Sequence, residues 1–104
     1  MKKLPATLAL TATILATHAD AEDSGAALTG IVLMDAATNY CNAQFKTVED
    51  SECFGGSARD LAYASKDGKS AWETFKKAHA ENPQAACQLV LKTYGKYLQL
   101  NPAR

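Results

Sequence analysis

The sequence predicts an all-α fold: a small bundle of four helices stapled by one disulfide, following a cleaved signal peptide. Three observations lead there. Alanine-rich segments place apolar residues at three- and four-residue steps, with no sustained alternation of the kind a half-buried strand shows. Serine, asparagine and proline stand where helices begin and end. Three cysteines, Cys41, Cys53 and Cys87, follow a leader of secretory type.

That leader comes first. Met1-Lys2-Lys3 is a short basic start, Leu4 to Ala16 is largely apolar, and Ala19-Asp20-Ala21 has the small-x-small form read by a signal peptidase. The apolar run is too short to span a bilayer. No cysteine stands directly after it to receive a lipid, so no membrane anchor is expected after cleavage. The reading therefore divides the chain into a signal peptide, 1–21, and a helical domain, 22–104, working in the periplasm.

The first helix is expected from about Ala26 to Phe45, with Ser24 as its cap and Leu28, Ile31, Val32, Ala36, Tyr40 and Phe45 on its inner face. Gly30 within it costs about 1 kcal/mol relative to alanine. It marks either a close helix approach or a frayed first turn. Lys46 to Ser51 reads as a polar link. A second helix follows to Ser65, burying Phe54, Ala58, Leu61 and Ala62, with Gly55 and Gly56 packed close against a neighbour.

Lys66-Asp67-Gly68-Lys69 reads as a turn. Ser70 and Glu73 then have capping-box spacing for a third helix carrying Trp72, Phe75, Ala78 and His79. Asn82 caps the fourth, with Pro83 at its first position, where a missing N–H costs nothing. Cys87, Val90, Leu91, Tyr94 and Leu98 form its stripe, and Asn101-Pro102 ends it.

Without its first 21 residues the 104-residue chain keeps 83, a size at which a hydrophobic core alone is marginal. A disulfide would add roughly 2–4 kcal/mol in an oxidising compartment. The first two helices, joined by a short link, are expected to pack antiparallel. Cys41 near the end of one and Cys53 at the start of the next then face each other, and this pair is favoured. Cys53–Cys87 and Cys41–Cys87 are the alternatives.

Charge excludes several partners. The domain after the leader carries 9 basic and 10 acidic groups, with no footprint for nucleic acid or anionic lipid. A catalytic Cys53–His79–Asp60 set is set aside, because nothing in the sequence holds those groups together and Cys53 is assigned to the disulfide. One histidine after the leader and no Cys-x-x-Cys give no zinc or haem signature, and no phosphate loop or nucleophile elbow is present. Neither a catalytic residue nor a cofactor is expected.

The candidates that remain are for protein binding. The acidic link Glu49-Asp50-Ser51-Glu52 can meet a basic cleft or mimic an anion. The turn at Lys66, Asp67 and Lys69 is a second charged surface. Tyr97, beside the apolar stripe, is a candidate exposed anchor.

Two stretches resemble the Rap/Tai family of type VI secretion amidase immunity proteins. Glu52-Cys53-Phe54-Gly55-Gly56-Ser57-Ala58-Arg59-Asp60-Leu61 is similar to its Cys-x-Gly-aromatic stretch followed by small residues and Asp. Lys96-Tyr97-Leu98-Gln99-Leu100-Asn101-Pro102-Ala103-Arg104 is similar to its Tyr-Leu-x-x-His/Asn-Pro-x-Arg segment, and Cys41 stands about a dozen residues before the first stretch. The resemblance implies a non-enzymatic periplasmic protein, commonly a homodimer, that plugs the active-site cleft of a secreted peptidoglycan amidase. The alternative reading is a periplasmic acid-stress chaperone of the HdeA/HdeB type. Asn82-Pro83-Gln84 ahead of Cys87 is faintly similar to that family.

Overall fold

The computed structural model describes residues 24–102. The predicted signal peptide, 1–21, and the start of the predicted domain at Glu22 lie outside the described residues. The chain forms α1 (Ser24–Tyr40), β1 (Ala43–Phe45), α2 (Val48–Cys53), α3 (Gly56–Ala64), α4 (Lys66–Glu81), α5 (Pro83–Thr93) and β2 (Leu98–Leu100). It is mainly helical, as predicted, but with five helices among the described residues and a two-stranded sheet.

Helix α1 is the centre of the fold. Ile31, Val32, Leu33, Met34, Ala36 and Ala37 are all buried, so its middle is covered on every side rather than along one stripe. Helices α3, α4 and α5 pack around it, contributing Ala62, Ala71, Phe75, Ala86 and Val90 to the same core. The small side chains let these helices approach closely, and Val32 at the centre is wholly shielded from solvent. Gly30 marks a close approach, although its neighbour is a side chain: a Cβ there would lie 3.2 Å from the Tyr94 ring. No described helix is long and apolar enough to cross a membrane.

Four boundaries differ from expectation, each for a local reason. Helix α1 stops at Tyr40, short of Phe45. Asn42 adopts a φ of 56°, a left-handed conformation that asparagine tolerates better than most residues, and turns the chain out of the helix. The Asn101 backbone N–H donates to the Asn42 carbonyl at 2.8 Å, and the two side-chain amides join at 2.9 Å. Ala43–Phe45 then pairs antiparallel with Leu98–Leu100, matching Ala43 with Leu100 and Phe45 with Leu98.

The predicted second helix is two. Its first part, α2, begins in the supposed acidic link and ends at Cys53; α3 begins after Gly55. Leu61, expected in the core, is 62% exposed. The third boundary is the supposed turn at Lys66–Lys69, which is the first turn of α4. Ser65, not Ser70, caps it, accepting the Gly68 N–H at 2.9 Å, while Glu73 instead pairs with Lys76 at 3.1 Å. The fourth is the end of α5 at Thr93, so Leu98 reaches the core from β2. The start of α5 is as predicted: Asn82 caps it through the Ala85 N–H at 3.1 Å, with Pro83 at the first position.

The disulfide is Cys41–Cys87, with a Cα–Cα distance of 5.5 Å, not Cys41–Cys53. The predicted geometry assumed a helical hairpin. The intervening β1 and the early start of α2 place Cys53 at the far end of that helix, exposed and unpaired. The bond ties the end of α1 to α5, which by chain entropy stabilises the fold by about 4 kcal/mol.

Candidate functional site

The short helix α2 presents the acidic residues. Thr47, in extended conformation, accepts the Asp50 N–H on its hydroxyl at 3.0 Å and starts the helix. Glu49 and Asp50 fall in the first turn, where their charge complements the free N–H groups. None of the helix's six residues is buried, and Val48 is 73% exposed. The helix thus offers carboxylates and an apolar side chain to solvent while adding nothing to the core.

Its mount is aromatic. Phe54, the residue that closes α2, stacks on Phe45 of β1 at 5.9 Å and packs edge to face with Tyr97 at 5.1 Å. The strand pairing and the Lys46 N–H donated to the Tyr97 carbonyl at 2.8 Å hold those two partners together. The chain then bends sharply at Gly55-Gly56. Gly56 has a φ of 55° and open space where a Cβ would stand, so these glycines serve a turn and not the close helix packing expected of them.

The predicted binding residues therefore separate into two groups. Glu49, Asp50 and Glu52 share α2, which is joined to Tyr97 through Phe54. Tyr97 itself is half-buried by that contact rather than free-standing, with the Lys96 ammonium 5.6 Å from its ring centre. Lys66, Asp67 and Lys69 lie on the first turn of α4 and make no side-chain hydrogen bond or ion pair to α2. His79, weighed with Cys53 and Asp60, packs between Tyr40 at 5.9 Å and Phe75 at 5.4 Å. No group of three or more His, Cys, Asp and Glu among the described residues is placed to hold a metal ion.

Beside α2 opens a cleft of about 280 Å³, reached by Asp35 and Thr38 of α1, Gln44 and Phe45 of β1, and Arg59 of α3. Asp35 is fixed by the Tyr63 hydroxyl, which donates to its Oδ2 at 2.6 Å, and by Asn39 Nδ2 at 3.2 Å. Burial, followed by that hydrogen bond to the carboxylate, pushes the Tyr63 phenol well above its ordinary range. Burial also raises Tyr94.

The sequence reading gave no role to Asp35, Gln44 or Arg59, and buried Phe45 and Phe54 as core. The signal for part of this was present. Asn42 directly after Cys41 is a helix-stop residue, and recognising it frees Ala43–Phe45 to be a strand. No local pattern brings α1, β1 and α3 to one cleft.

Comparison with protein families, curated proteins and solved structures finds no match to this chain.

Proposed function

We propose that this chain is a periplasmic immunity protein that binds and inhibits a secreted peptidoglycan amidase, with α2 as the part that enters the partner's cleft. The observation that carries the reading is α2 itself. It buries none of its residues, yet it is capped at one end by Thr47 and fastened at the other by Phe54 against Phe45 and Tyr97. A pre-ordered acidic element beside an aromatic anchor loses little conformational entropy on docking. The two stretches that resemble the Rap/Tai family also meet here, through Phe54 and Tyr97. The sequence of residues 1–21 supports export to the compartment where such a partner acts.

The acid-stress alternative is less favoured by the way the fold is held. The buried core contains no polar or charged residue among those described, and the Lys76–Glu73 ion pair lies one helical turn apart on an open surface. Among the described residues, the carboxylate contacts open to protonation are that pair and the Tyr63 and Asn39 hydrogen bonds to Asp35, a small share of what holds the fold together.

The test is capture from periplasmic extract with the oxidised protein as bait, followed by mass spectrometry. One stoichiometric peptidoglycan amidase retained at neutral pH supports the proposal. Nothing retained at neutral pH, with many unrelated proteins held in acid, overturns it and favours the chaperone.

A further inference from the structure

The cleft between α1, β1 and α3 is lined by opposite charges that do not pair. Asp35 is half-buried, and its Oδ2 takes both hydrogen bonds, from Tyr63 and Asn39, leaving Oδ1 without a partner among the described residues. Arg59 lines the same cleft, and its charge acts on the same phenol, lowering the Tyr63 pKa against the effect of Asp35. No ion pair joins Asp35 to Arg59. The side chains of Gln44 and Ser51, also on the cleft wall, make no hydrogen bond among the described residues. Phe45 and Phe54, stacked at 5.9 Å, supply an apolar wall.

Two unpaired charges of opposite sign facing one space are complementary to a ligand that carries both. Charge-assisted hydrogen bonds to each end are stronger than neutral ones and fix orientation, while an apolar group on the ligand covers the aromatic wall. We infer that this cleft binds a free amino acid as its zwitterion: the ammonium on Asp35 Oδ1, the carboxylate on Arg59, and an apolar side chain against Phe45 and Phe54. The volume of about 280 Å³ accommodates a ligand of that size. Tyr63 and Asn39 act as positioning residues, holding the Asp35 carboxylate through Oδ2 alone.

The test is a titration of the oxidised protein with L-leucine, followed through backbone amide chemical shifts, alongside N-acetyl-L-leucine and L-leucine amide. The inference predicts saturable shifts at Gln44, Ser51 and Gly55 with L-leucine. It predicts at least roughly tenfold weaker binding when either charged end of the ligand is blocked, or on Arg59→Gln. Arg59 is exposed, so its loss leaves the fold intact; the N-acetyl ligand examines the Asp35 contact without altering the protein. Absence of saturation by about 10 mM overturns the inference, as does binding that neither blocked ligand nor Arg59→Gln weakens.

Discussion

The rings of Phe54 and Tyr97 meet edge to face with their centres 5.1 Å apart, joining the end of α2 to the segment that enters β2. The contact links residues 43 positions apart in the chain and fixes the direction in which α2 presents its carboxylates. Phe54→Ala is expected to lower stability by about 2 kcal/mol, below the cost of emptying a full core site, because the ring is half-buried. A double-mutant cycle with Tyr97→Leu, read by denaturant unfolding, should return a coupling of about 1 kcal/mol. Strict additivity would mean the rings are not the mount.

The cysteine pairing gives a chemical prediction. A thiol reagent added to the folded, unreduced protein should label Cys53 and leave Cys41 and Cys87 unlabelled on peptide mapping. Cys53→Ser should change stability by no more than about 0.5 kcal/mol, since the side chain is exposed and unpaired. Replacing Cys41 and Cys87 together should cost about 2–5 kcal/mol. Labelling at Cys87 would point to a different pairing.

Helix caps supply a graded set. Thr47→Ala, Ser65→Ala and Asn82→Ala each remove an acceptor for one backbone N–H and should each cost about 1 kcal/mol. Only Thr47→Ala should also speed amide exchange within Val48–Cys53 while the rest of the fold stays protected.

Tyr63 makes stability sensitive to alkali. Its phenol is held protonated in the folded state above its ordinary pKa of 10.0. Below that value both states keep the proton and the contribution is complete. As pH rises further, the unfolded chain loses the proton first, so stability falls through the folded value. Tyr63→Phe should flatten this alkaline loss and remove one late step from an ultraviolet titration of the phenols.

How much of this was legible in the sequence depended on how local the physics was. The Asn82-Pro83 start of α5 needs only residues three apart, and it was read correctly. The Lys66–Lys69 segment was misread because Gly68 looks like a turn residue when the Ser65 cap before it is overlooked. The sheet was beyond local reading. Its strands are three residues each, and their pairing depends on Asn42 turning left-handed and Asn101 closing over it. The favoured disulfide failed for the same reason, since it presumed α1 ran past residue 42. Charge singles out the acidic residues and position singles out Tyr97; only the tertiary contact through Phe54 joins them.

If α2 is the partner-binding element, capture from periplasmic extract should differ between the unchanged protein and a Glu49→Lys, Glu52→Lys variant. Both positions are exposed and bury nothing, so the variant should lose no more than about 1 kcal/mol of stability, the cost of reversing the Glu49 charge in the first turn of α2. The account predicts a stoichiometric amidase retained by the unchanged protein and lost or sharply reduced with the variant. An amidase held equally well by both would contradict the role given to α2, and retention of none would contradict the function.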